Sequence, residues 1–127
     1  MDFDTTIPIY LQIIDMHKRA LMAGELKPGE KILSQRDFAE RYNVNPNTVQ
    51  RAYREMEALG LVQTLRGQGT FVAVTEEMLE TMRTETAHNI LQQFVQKMKT
   101  LGFTLEQSLK LVEEAWPKEE EKNYDSI

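Results

Sequence analysis

The chain has 127 residues, of which 41% are hydrophobic, carries a formal net charge of -5 and contains no cysteine. Its length suits one ordinary domain, or a small domain with an appendage, and its apolar content supplies a core, which excludes disorder throughout. Disulfides and thiolate metal sites are excluded too, and with no leader pattern and no run of about 18 apolar residues, neither secretion nor membrane spanning is indicated and a cytoplasmic location is expected.

After a short polar start, Pro8 stands where a first helical residue belongs, and Ile9, Ile13, Met16, Ala20 and Leu21 recur at helical spacing. Gly24, Pro28 and Gly29 break the pattern, and a short strand is expected at Lys31 to Leu33. Ser34, with Asp37 three residues on, has the form of a capping box and opens a second helix with Phe38, Ala39 and Tyr42 inward. Asn43 tolerates the left-handed backbone of a helix stop. Asn45 is then a good N-cap and Pro46 a good first residue for a third helix, whose apolar positions Val49, Ala52, Tyr53, Met56 and Leu59 run to Gly60.

Two helices joined by a turn of about three or four residues make a helix-turn-helix pattern. The β-formers of "LVQTL" and "TFVAV", Leu61 to Leu65 and Thr70 to Val74, flank "RGQG", whose glycines permit a tight reversal. A β-hairpin directly after the helix pair makes the expected fold a winged helix-turn-helix over residues 1–74: mainly α, with a small β-hairpin. Arg66 at the wing tip offers a cation where backbone can approach a phosphate closely, while Gly67 is first a turn residue and becomes functional when the wing docks.

Beyond Val74, Met78, Met82, Ile90, Phe94, Met98 and Leu101 form one apolar stripe, interrupted at Thr86, that predicts a single helix of roughly 25 residues ending at Gly102. Thr104 with Gln107 caps a last helix bearing Leu105, Leu109, Val112 and Trp116, and Pro117 stops it. Residues 117–127 read as a charged, disordered tail. Residues 75–116 form a two-helix element of about 40 residues, near the limit at which a domain needs disulfides, a metal or a partner. Neither of the first two is available, so this stripe is expected to pair with its copy in a homodimer.

Charge is uneven. Residues 1–74 hold nine Lys or Arg against nine Asp or Glu, and residues 75–127 hold six against eleven, so the whole net charge lies in the C-terminal part. What matters to a phosphate is the local field. The third helix places Asn47, Gln50, Arg51 and Arg54 on one polar stripe, and these are the side chains that pair with guanine and adenine in a major groove. The amino ends of the helices beginning near Ser34 and Asn45 are candidate phosphate receivers. The alternative readings are surface ion pairs for Arg36 and Arg51, solvent for Asn47 and Gln50, and capping for Asn45. Arg54 is balanced between DNA and the acids Glu55 and Glu57. His17 and His88 are assigned to structure or solvent, and no metal or cofactor is expected. No Gly-rich phosphate loop, His-carboxylate cluster or activated nucleophile appears, so the chain does not read as an enzyme.

Leu33 to Val72, "LSQRDFAERYNVNPNTVQRAYREMEALGLVQTLRGQGTFV", resembles the winged helix-turn-helix of GntR-family bacterial transcription regulators. The match runs through a Ser-x-Arg segment, a Val-centred turn, Thr-Val and a final Arg-x-Gly-x-Gly-Thr-Phe-Val. The opening "PIYLQI", the "VNPNTV" turn and the short tail resemble the YtrA-like subgroup. The resemblance implies that Arg36 reaches a base or phosphate, that Asn45, Pro46, Asn47 and Thr48 begin the recognition helix, that Gln50 and Arg51 follow as its polar pair, and that Arg66 and Gly67 form the wing tip. Pro46 and Gln50 stand where the family often has Arg, so base preferences of other branches do not transfer. The expected function is a dimeric DNA-binding transcription regulator, a repressor rather than an activator, whose site in double-stranded DNA is an inverted repeat because a two-fold dimer needs two-fold sites; the resemblance implies that the target is often its own operon, commonly one encoding an ABC transporter. The alternative is a winged domain that binds protein rather than DNA. No effector is identified by the sequence.

Overall fold

The computed structural model describes residues 3–117, and the charged tail expected over residues 117–127 falls, apart from Pro117, outside them. Three helices and three strands build the first part: α1 (Ile9–Met22), β1 (Lys31–Ile32), α2 (Gln35–Tyr42), α3 (Pro46–Ala58), β2 (Val62–Leu65) and β3 (Gly69–Val72); α4 (Glu76–Thr100) and α5 (Leu105–Ala115) follow. The chain divides into two compact units, the first ending at Thr84 and the second beginning at Glu85. The winged unit therefore extends past Val74 into the first turns of α4, because Leu79 is buried in its core and Met82 packs against it.

Local chemistry sets the helix ends. Ser34 caps α2 by accepting a hydrogen bond from the Asp37 N–H at 3.1 Å, and Asn43 closes it in the left-handed region, φ 53° and ψ 52°. The Asn45 carboxamide oxygen caps α3, accepting from the Asn47 N–H at 2.8 Å. Pro8 is the N-cap of α1 rather than its first helical residue; its ψ of 131° is extended, and its ring needs only the fixed φ that both positions share.

The core joins Ile13 and Leu21 of α1, Phe38 of α2, and Val49 and Met56 of α3 to Ile32, Val62 and Val72 of the sheet, with Val74 just beyond it. Leu59, expected inward, is 55% exposed: it is the C-cap of α3, where the helical stripe has ended. His17 is buried among these residues, its Nδ1 donating to the Ile13 carbonyl at 2.8 Å. A carbonyl only accepts, so the proton is on Nδ1. Burial pushes the His17 pKa below its usual value of 6.5, and the Ile13 bond opposes that in part.

The hairpin is the larger part of a three-stranded antiparallel sheet in the order β1-β3-β2. Lys31 stands opposite Phe71 and Ile32 opposite Thr70, while Val62 pairs with Val72 and Leu65 with Gly69. At the wing turn the Gln68 N–H reaches the Leu65 carbonyl at 2.9 Å. Gly67 there has φ +79°, a conformation glycine adopts without strain.

The second unit is organised differently. The Thr104–Gln107 capping box forms in full, and α5 follows α4 across the Gly102 turn. The apolar side chains of the two helices stay largely uncovered within one chain: Leu105 is 76% and Trp116 72% exposed, and Ile90, Leu91, Val95, Leu101, Phe103, Leu109 and Leu111 are exposed as well. Phe94, Met98 and Val112 are half-buried. Among the described residues beyond Leu79, Ser108 alone is buried. The described residues of this unit make no apolar core of their own within one chain.

Candidate nucleic-acid interface

Three contacts fix how the second and third helices and the wing meet. The Tyr53 hydroxyl, on the inner face of α3, donates to the Leu33 carbonyl at 2.6 Å, directly before the cap of α2. Burial pushes the Tyr53 phenol well above its ordinary pKa, with Tyr42 and Asp37 adding to the shift, so the proton stays on and the bond holds. At the other end of α3, Glu57 Oε1 accepts the Thr64 N–H of β2 at 2.9 Å, tying the helix to the wing. At the sheet edge Lys31 reaches over Gly69: a Cβ there, where φ is +130°, would stand 2.5 Å from Lys31 Cε. The Lys31 side chain thus lies over the wing strand and sets its ammonium beside the turn.

Across the outer surface of α3, Asn47, Gln50, Arg51, Arg54 and Glu55 line one concavity of about 400 Å³. Gln35, Arg36, Ala39, Glu40, Pro46, Asn47 and Gln50 line a second, of about 490 Å³, between α2 and α3. Asn47 and Gln50 belong to both, so a continuous polar face runs from Arg36 to Arg54. The stripe read from spacing is assembled as expected, and Arg36 joins it from the neighbouring helix. Ser34, Asn45 and Thr48 stand outside these concavities, the first two acting as caps. Arg66 and Gly67 occupy the exposed wing turn.

The arginines differ in their surroundings. Arg36 Nε lies 3.5 Å from Glu40 Oε1, with both side chains mostly in solvent. Arg51 Nε lies 3.6 Å from Glu55 Oε1, and its guanidinium carbon sits 3.8 Å from the centre of the Tyr10 ring. Exposed pairs of this kind are worth about 0–1 kcal/mol, so a phosphate or base edge replaces the carboxylate at small cost. Among the described residues no ion pair engages Arg54 or Arg66.

The amino end of α3 does not offer backbone N–H groups to a phosphate: Pro46 has none, the Asn47 N–H is taken by Asn45 Oδ1, and the Thr48 and Val49 N–H groups lie 3.0 and 3.2 Å from the Asn45 carbonyl. In α2 the capped group is the Asp37 N–H. Sequence spacing did not reveal Tyr10, Lys31 or Gln35. Tyr10 and Lys31 meet the site only through long-range contacts, and the signal for Gln35 was its place directly after a capping serine.

Residues 9–72 match the family described as "Bacterial regulatory proteins, gntR family". The chain is 47% identical over 107 residues to the uncharacterized HTH-type transcriptional regulator YhcF of Bacillus subtilis (strain 168), a match spanning 84% of this chain and 88% of that one. It is 44% identical over 73 residues to the HTH-type transcriptional repressor YtrA of the same organism, spanning 58% of this chain and 56% of YtrA. Of solved structures, a GntR family transcriptional regulator from Listeria monocytogenes superposes with a TM-score of 0.81 at 32% identity, over 90% of this chain and 100% of that one. The capped helix pair, the wing and the polar face of α3 are thus found on a chain similar to such regulators over most of its length. The chain belongs to the gntR family of bacterial regulatory proteins and is a transcription regulator with a winged helix-turn-helix DNA-binding domain.

Proposed function

We propose that the protein is a homodimeric repressor acting in the cytoplasm, which lays the Asn47, Gln50, Arg51 and Arg54 face of α3 from each chain into a major groove of an inverted-repeat operator. Arg36, the hydroxyls of Ser34 and Thr48 and the carboxamide NH2 of Asn45 hold the phosphates beside that groove through side-chain donors, and Arg66 and Gly67 carry the wing along the flanking backbone. The observation that carries this reading is the continuous polar face from Arg36 to Arg54. Bidentate pairing of Arg with guanine, or of Asn and Gln with adenine, discriminates against a wrong base by about 1–3 kcal/mol each. Two-fold pairing of chains demands two-fold sites, with half-site centres about one helical turn, or a small multiple of it, apart.

Support for the dimer comes from the second unit, in which nine large apolar side chains among the described residues are exposed in a single chain. Met78 and Met82 fall within the winged unit, where Met82 packs against the core and Met78 is 45% exposed, so the pairing surface centres on Ile90, Phe94, Met98, Leu101, Leu105, Leu109, Val112 and Trp116. Repression rather than activation is favoured by the similarity to YtrA, itself named a repressor. The protein's own operon, commonly one for an ABC transporter in the subgroup it resembles, is the first place to seek the operator.

Selection of bound sequences from random duplexes by the purified protein tests the proposal directly. An inverted repeat is expected. Arg51→Ala should then cost about 1–3 kcal/mol on that sequence and flatten one base preference, whereas Arg66→Ala should weaken all duplexes evenly. Enrichment of no duplex at low salt, or equal binding by both variants and the wild type, refutes the reading.

A further inference from the structure

We infer that Tyr10, on the first turn of α1, is a positioning residue for sequence recognition: its ring holds the Arg51 guanidinium in the orientation that reads a base. The inference rests on the reading of Arg51 as a base reader. The Arg51 guanidinium carbon lies 3.8 Å from the Tyr10 ring centre, close enough for face-to-face stacking and a cation–π attraction. Tyr10 is itself half-buried and packs against the core, so its ring is a fixed support.

Stacking uses the flat face of a guanidinium and leaves its N–H groups, which point outward in the plane, available to donate. Glu55, one turn further along α3, touches the Nε edge loosely at 3.6 Å. The ring and the carboxylate together restrict a side chain that is otherwise among the most mobile of the twenty. Freedom given up before DNA arrives is not lost again on binding, which is how preorganisation raises affinity. Arg54, by comparison, shares the same concavity with no ring contact among those described. The structure therefore separates one supported arginine from one unsupported on the same face, and the sharper base preference is expected at the position under Arg51.

The test uses the full chain and its selected operator. Tyr10→Ala and Tyr10→Leu remove the ring, the second keeping apolar bulk in case the first disturbs folding, and Tyr10→Phe keeps the ring without its hydroxyl. A cation–π contact at a partly exposed site predicts a two- to fivefold weakening on the operator, roughly, for the ring-less variants, and none for Tyr10→Phe. Preference should flatten only at the base pair that Arg51→Ala also flattens. In an Arg51→Ala background, Tyr10→Leu should change nothing further. Equal losses in both backgrounds, or flattening at every position, would show that the ring merely supports α1 and overturn the inference. If Arg51→Ala weakens the operator while Tyr10→Leu does not, the inference alone fails. If Arg51→Ala has no effect, the reading of Arg51 falls first and the role of Tyr10 with it.

Discussion

Replacing Leu105 by Ala separates a chain that pairs through its second unit from one that does not. Leu105 begins α5 and is 76% exposed in the single chain, although it is a leucine flanked by further exposed apolar residues. The substitution removes three carbons, worth about 2.4 kcal/mol if all were newly buried on pairing, and about 1.8 kcal/mol when scaled by the exposed share. In a two-fold interface each change occurs twice, so the loss per dimer is about 3.6 kcal/mol, a roughly 400-fold weaker dissociation constant. Sedimentation equilibrium from nanomolar to tens of micromolar chain measures this directly. Leu65, on β2 of the wing, is 38% exposed and serves as the control, because Leu65→Ala should leave the association unchanged. A wild-type chain that stays monomeric at micromolar concentration refutes the reasoning, as does a Leu105→Ala dissociation constant within about threefold of wild type.

Two further outcomes concern the scaffold. Tyr53→Phe removes one hydroxyl and leaves the Leu33 carbonyl without its partner, so unfolding by urea should show a loss of about 1–3 kcal/mol with an unchanged denaturant slope; no loss would mean that the 2.6 Å bond does not hold α3 against α2. His17 has a folded-state pKa below 6.5, so the unfolded chain binds the proton more readily. Its contribution to stability is complete above pH 6.5 and is lost as pH falls from there through the depressed folded value. His17→Gln should flatten that part of the stability profile, and an unaltered profile would show that other groups control it.

What was legible in the sequence is what short-range chemistry decides. Ser34, Asn45 and the Thr104–Gln107 pair satisfy N–H groups two or three residues away, and Asn43 adopts its left-handed conformation without help from distant residues. The polar stripe of α3 was equally readable, since helical spacing alone brings Asn47, Gln50, Arg51 and Arg54 together. Pairing across the chain was not. Nothing near Lys31 indicates that β1 joins β3 and turns the hairpin into a three-stranded sheet, and 41 positions separate Tyr10 from the Arg51 it supports. In α4, spacing favoured Met78 over Leu79, yet Leu79 is the buried one. The start of that helix obeys the core of the winged unit, and its later stripe, through Ile90, Phe94 and Met98, obeys a different surface, so a single period misplaces the first turn. The partner of the α4 and α5 stripes is hidden for the same reason: a stripe shows that a face wants burial but not by whom.

The acidity of the chain then becomes a matter of placement rather than of total. Within the winged unit several acids are committed to the fold: Glu57 accepts the Thr64 N–H, Glu30 accepts the Lys27 N–H, and Glu40 and Glu55 sit in exposed pairs that DNA can displace. We propose that three cations per chain, Lys31 at the sheet edge, Arg36 on α2 and Arg66 at the wing tip, meet phosphates. A dimer would then neutralise about six phosphates, and counterion release gives the logarithm of the binding constant a slope of about -5 against the logarithm of salt concentration. Between 50 and 200 mM salt that amounts to roughly a thousandfold loss of affinity. Titrating the selected operator across that range by fluorescence anisotropy measures the slope, and Arg66→Ala should reduce its magnitude by about two, one unit per chain. A slope near -1, or one that Arg66→Ala leaves unchanged, would show that the acidic residues screen the interface after all and that the wing does not lie on the backbone.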